Sequence, residues 1–134
     1  MGLDNGIEIR RKDNLPNCVL CFDNDEWRKQ HDYDLEVAYW RKCWNVRALI
    51  YDALGVEQEN DNEVLMDRQD LLKVLKALKG VNKKNWDDCG YGGGSIWEWD
   101  EYKQNHRRNI TNLKKLARIM KRHPELEVIF YDSY

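Results

Sequence analysis

Residues 35–54 read Leu35-Glu36-Val37-Ala38-Tyr39-Trp40-Arg41-Lys42-Cys43-Trp44-Asn45-Val46-Arg47-Ala48-Leu49-Ile50-Tyr51-Asp52-Ala53-Leu54, and the conformation of this stretch decides the architecture. Trp40, Trp44, Ala48 and Tyr51 recur at three- and four-residue spacing. Tyr39, Cys43, Val46, Ile50 and Leu54 make an adjacent stripe. Together they form a wide apolar arc, which predicts one long helix over 35–54, buried over most of its surface. Asp34 stands at the N-cap position and Gly55 just past the end. Arg41, Lys42 and Arg47 fall at the margins of the arc.

Outward from this stretch, the spacing predicts two further helices, over 67–79 and 98–122. Asp67 can cap the first, with Asp70 in the first turn where the helix dipole favours a carboxylate. Leu71, Leu72, Leu75 and Leu78 form its buried stripe, and Gly80 ends it. In the second, Trp99, Tyr102, His106, Leu113, Leu116, Ala117 and Met120 keep helical spacing before Pro124. Ile7 and Ile9 alternate with Glu8 and Arg10, which predicts a strand over 7–10, with Asn5-Gly6 as a tight turn before it. Strands are also expected over 18–22 and 127–131. Val64-Leu65-Met66 reads as a short strand or as the lead-in to the next helix. The expected fold is α+β, one domain over residues 1–134, with three main helices packed on a small, mostly antiparallel sheet of short strands.

A chain of 134 residues suits one domain, and 42% hydrophobic with 34% charged residues argues for a globular protein with a charged surface. The formal net charge of −2 exerts no global pull toward nucleic acid or an anionic membrane, so such binding would need a local basic patch. No apolar run is long enough to span a bilayer, and the start lacks the basic and apolar regions of a signal peptide. The protein is therefore expected in the cytoplasm, with its four cysteines as reduced thiols.

The chemistry-bearing motifs are weak one by one. Cys18-Val19-Leu20-Cys21 is a CxxC, but no second CxxC follows, and Val19 and Leu20 sit where a zinc knuckle has turn residues. No metal and no cofactor are expected, and the thiols are read as small buried hydrophobes. His31, His106 and His123 lack metal or catalytic spacing, and His106 falls on a buried helical stripe. The only serines, Ser95 and Ser133, lie outside any GxSxG. The run Gly90-Tyr91-Gly92-Gly93-Gly94-Ser95 precedes a helix and could cradle a phosphate, or could simply be a flexible loop. Arg107, Arg108, Lys114, Lys115, Arg118, Lys121 and Arg122 make a basic run, read as a solvated face.

Four segments carry a family resemblance. The start, Met1-Gly2-Leu3-Asp4-Asn5-Gly6-Ile7, is similar to the opening of a widespread family of small uncharacterised phage and prophage proteins. So are Val37-Ala38-Tyr39-Trp40-Arg41-Lys42, and Gly94-Ser95 followed by Glu98-Trp99-Asp100-Glu101-Tyr102. The aromatic end, Phe130-Tyr131-Asp132-Ser133-Tyr134, also resembles that family's C-terminus. The family commonly has His where Arg47 stands, and an aromatic run where Gly92-Gly93-Gly94 stands. The resemblance implies a phage context and life in the host cytoplasm.

The expectation is a non-enzymatic binding protein that counteracts host defence by sequestering a nucleotide-derived small molecule. Aromatic rings stack planar groups, and nearby cations hold phosphate or carboxylate. The expected ligand-binding set is Trp40, Arg41, Lys42, Arg47, Gly93, Gly94, Ser95, Trp97, Trp99 and Tyr102. The partner is then a small anionic planar ligand, or else a host protein gripped by exposed Trp and Tyr, with self-association left open. Nucleic acid is disfavoured by the net acidity, and no membrane is expected. A small enzyme of unassigned reaction is the third alternative.

Overall fold

The computed structural model describes residues 4–10, 15–22, 34–41, 43–59, 61–86 and 99–133. The order of elements is β1 (Asp4–Ile9), a 3-10 helix (Asn17–Phe22), β2 (Leu35–Arg41), α1 (Trp44–Leu54), β3 (Asn62–Met66), α2 (Arg68–Lys79), α3 (Trp99–Arg122) and β4 (Val128–Ser133). The four strands form one sheet in the order β2-β1-β4-β3, and every pairing is antiparallel. The strands nearest the two ends of the chain, β1 and β4, are thus its centre. The fold is α+β, with three substantial helices packed against an antiparallel sheet.

The strand register sorts the side chains onto two faces. Ile7 stands between Ala38 and Phe130, and Val64 beyond Phe130. With Ile9, Leu35, Trp40, Met66 and Val128 they form the core face, which packs against Val46, Ile50, Leu71, Leu75, Leu113 and Leu116 of the helices. α1 packs on α2, α2 on α3, and α3 on β2. Asp67 caps α2 as its sequence suggests. The Asp70 N–H donates to Asp67 Oδ1 at 2.8 Å, and the Asp67 N–H donates to Asp70 Oδ2 at 3.1 Å. Such a reciprocal cap is worth about 1 kcal/mol.

Three local expectations need correction. Residues 35–54 are not one helix: 35–41 form β2, and the helix begins at Trp44. The burial pattern of β2 alternates through Leu35 and Val37, then shifts phase to Ala38 and Trp40, matching a register irregularity between Ile7 and Glu8 of β1. That shift broke the two-residue period and left a spurious helical one. The C-terminal half of the expectation holds, with Gly55 ending α1 at φ 67°, a left-handed conformation that glycine adopts without strain.

Residues 18–22 form a 3-10 helix rather than a strand. It follows Pro16, whose carbonyl accepts the Val19 N–H at 3.2 Å. Only Val19 of this helix is buried. Positions three apart share one side of a 3-10 helix, so Cys18 and Cys21 are both exposed, and among the described residues the expected buried thiol is found only at Cys43. Asn5-Gly6 is not a turn but lies inside β1. Gly6 is needed there because the Tyr131 ring lies across it, where any Cβ would collide with the ring. Cys89 and His31 lie outside the described residues.

Candidate functional site

Helix α3 lies along the outer edge of β2, and a row of asparagines joins the two. Asn105, Asn109 and Asn112 are spaced to share one side of the helix. Asn109 Nδ2 donates to the Tyr39 carbonyl at 2.8 Å, and Asn105 Nδ2 to the same oxygen at 3.2 Å. Asn112 Nδ2 donates to the Val37 carbonyl at 3.2 Å. Side-chain amides thereby satisfy backbone groups that a further strand would otherwise pair.

At the N-terminal end of this row, a cavity of about 350 Å³ opens between the end of β2 and the first turns of α3. Tyr39, Arg41, Cys43, Glu101, Tyr102 and Asn105 line it. Two tyrosine rings give it apolar walls, while Arg41 and Glu101 place opposite charges at its rim. Burial pushes the Cys43 thiol up to about 12, and the thiol donates to the Arg41 carbonyl at 3.4 Å. Burial and its hydrogen bond to Asp4 push the Tyr39 hydroxyl up to about 12 as well. Burial likewise raises Tyr102, whose hydroxyl exchanges hydrogen bonds with the Asn45 amide at 3.3 and 3.4 Å. At neutral pH these three groups are protonated donors.

Behind the cavity, Tyr102 belongs to an aromatic stack. Its ring centroid lies 5.4 Å from Trp86, 6.1 Å from Trp99 and 5.5 Å from the nearly parallel His106 ring. His106 Nε2–H donates to the Leu78 carbonyl at 2.8 Å, which leaves Nδ1 as a buried lone pair with no partner among the described residues. Burial pulls the His106 pKa down, so the ring is a neutral member of the stack.

A second polar cluster is sealed inside the fold. Asp132 on β4 accepts from Arg47 Nε at 2.8 Å, from the Tyr51 hydroxyl at 2.7 Å and from Asn5 Nδ2 at 2.6 Å. Arg47 also donates to Gln58 Oε1 at 2.5 Å and lies over the rings of Trp44 and Tyr51. Its side chain is 3% exposed and that of Asp132 0%, so this ion pair ties α1 to the sheet and is not open to a ligand.

The candidate residues therefore separate. Arg41 and Tyr102 line the cavity, and Trp99 packs beside Tyr102. Trp40 is fully buried on the core face of β2, and Arg47 is committed to Asp132. Lys42, Gly93, Gly94, Ser95 and Trp97 lie outside the described residues. Tyr39, Cys43, Glu101 and Asn105 complete the lining and were not among the expected set. The spacing of Asn105, Asn109 and Asn112 could have singled out Asn105, but no local pattern marks the other three.

No family model and no curated protein matches the chain. Among solved structures, it is similar to a protein of unknown function, YfbM from Escherichia coli, at 10% identity and a TM-score of 0.36, over 97% of this chain and 99% of that one.

Proposed function

We propose that the protein binds, without transforming, a small planar ligand in the cavity between β2 and α3, and that the ligand is nucleotide-derived. The observation that carries this is the lining itself: two tyrosine rings with a guanidinium and a carboxylate at one mouth. A base can pack against Tyr39 or Tyr102, Glu101 can accept from its N–H groups, and Arg41 can pair with a phosphate. A volume of about 350 Å³ is at the small end of ligand sites, suited to one base and its sugar rather than a dinucleotide. The absence of catalysis is supported by the thiol and phenols of the lining, all protonated at neutral pH and so poor nucleophiles or bases. Together with the resemblance to phage and prophage proteins, this favours sequestration of a nucleotide signal in a host.

The rival grip on a host protein through exposed rings has less support. Every Trp and Tyr among the described residues is buried or half-buried.

The test is a thermal-shift panel of nucleotides and cyclic nucleotides, with mass spectrometry of the purified protein for carried ligand. A ligand at 100 times its Kd should stabilise the fold by about 2.7 kcal/mol. Arg41→Ala should abolish the shift, because Arg41 lines the cavity. A flat panel with no carried ligand would sink the proposal.

A further inference from the structure

The basic residues are concentrated on one element. Of 22 lysines and arginines, eight lie between Tyr102 and Pro124, a segment with no Asp or Glu, which leaves 14 against 24 acidic residues elsewhere. Seven of the eight share one exposed arc of α3. Arg107, Lys114, Arg118 and Lys121 follow one row, and Arg108, Lys115 and Arg122 the neighbouring row. At 1.5 Å per residue the stripe is about 22 Å long. Among the described residues, none of the seven forms an ion pair. The helix's one such pair, Lys103 with Asp100 at 3.1 Å, lies before the stripe begins. Complementing the helix dipole accounts for Lys121 and Arg122 in the last turn, but not for cations further back.

A cleft opens beside this stripe. It has a volume of about 400 Å³, between the 3-10 helix and the C-terminal half of α3. Lys115, Arg118, Arg122 and His123 rim it, with Ile119 and Cys18 as its less polar lining. Lys115 Nζ, at the rim, sits 6.0 Å from the Phe22 ring centroid, a cation–π contact with the 3-10 helix.

We infer that the outer face of α3 and this cleft form a second binding site, for the phosphate backbone of double-stranded nucleic acid. A rigid row of cations matches a rigid row of phosphates, and a stripe of about 22 Å faces about a dozen duplex charges. The only neutral side chains on the arc are Gln104 and Thr111. With no exposed aromatic among the described residues to stack on bases, the contact is sequence-independent. An anionic bilayer fits less well, since the arc carries no apolar residue to enter it and the cleft only the half-buried Ile119. The net charge of −2 does not oppose binding here, because screening at physiological salt confines attraction to about 8 Å of the stripe.

The test is fluorescence anisotropy of a labelled duplex of about 20 base pairs, titrated with the full chain between about 50 and 200 mM salt. Binding should be indifferent to sequence and fall with a log–log salt slope of about −3 to −5, as three to five neutralised phosphates require. The double charge reversal Lys114→Glu with Arg118→Glu, both exposed and outside the last turn, should weaken binding at least tenfold, with the denaturation midpoint unchanged. The reversal should also leave any nucleotide-induced thermal shift intact, since neither residue lines the β2–α3 cavity, so this site and that one can fail separately. No duplex binding at the lowest salt, or equal affinity after charge reversal, would overturn the inference. So would equally tight binding to phosphatidylserine vesicles, which would mark the stripe as a membrane-seeking surface.

Discussion

Asn109 on α3 engages Tyr39 on β2 through both halves of its side-chain amide. Nδ2 donates to the Tyr39 carbonyl at 2.8 Å, while Oδ1 accepts from the Tyr39 N–H at 3.4 Å. One amide side chain thus occupies the place of a paired residue in a neighbouring strand. The edge of the sheet is closed by a helix, and the same contact fixes where the first turns of α3 stand relative to Arg41 and Cys43. The cavity wall and the sheet edge thus share this interaction.

Replacing Asn109 with Ala should therefore cost about 1–3 kcal/mol, because the Tyr39 N–H loses its partner in a part-buried place and the Tyr39 carbonyl keeps only Asn105. Chemical denaturation measures the loss. Amide exchange at Tyr39 should quicken by more than global destabilisation explains. Unchanged exchange at Tyr39 would show that the N–H contact contributes little.

The Arg47–Asp132 pair makes a larger demand. Removing one partner strands the other charge in the interior, so Asp132→Asn should cost about 3–5 kcal/mol. Arg47→Met should cost a similar amount. The double variant should be much less than additive, since it leaves no lone charge, and a double-mutant cycle in urea reads this directly. Simple additivity would show that the pair is not coupled.

Glu8 introduces an opposite kind of strain. Burial, with the nearby Asp34, Glu36 and Glu63 carboxylates, raises its pKa to about 7. The folded state then binds a proton that the unfolded state has already released, so stability falls as pH rises from about 4.5 to about 7. Glu8→Gln should remove that fall and stabilise the protein at neutral pH by about 1 kcal/mol, well below the full linkage value because Glu8 is only half-buried. His106, whose pKa burial lowers, acts with the other sign and remains in both proteins, so the difference between them isolates Glu8. Parallel pH–stability curves for the two proteins would refute the assignment.

The thiols should divide by reactivity. Cys18 and Cys21 are exposed, whereas Cys43 is 1% exposed and its thiol is pushed up to about 12. In a Cys89→Ser background, a thiol reagent at neutral pH should label two cysteines at once and Cys43 only at the rate of unfolding. Fast labelling of all three would mean that the cavity opens Cys43 to solvent.

Wherever local rules act alone, the sequence was enough. Asp67 and Asp70 announce the start of α2, Gly55 the end of α1, and the heptad-like spacing from Tyr102 to Met120 the whole of α3. A cap or a 3.6-residue stripe is set by residues within a turn of one another, so it can be read from neighbours. Arg41 and Tyr102 could be singled out for the same reason, each carrying its chemistry in its own side chain.

Pairing across the chain decided the rest. Leu35 to Arg41 becomes a strand because β1 offers it a partner, and the phase shift opposite Ile7 and Glu8 erases the alternation that would have shown it. Gly6 lies in that strand because Tyr131, distant in sequence, needs the space of its missing side chain. Arg47 is withdrawn from any ligand by Asp132, which lies 85 residues away. Tyr39 and Cys43 reach Glu101 and Asn105 only once α3 has docked on the edge of β2. Helical order is stabilised within a few residues, whereas sheet order and a shared cavity exist only between segments that loop closure has brought together, and no local periodicity records which segments those are.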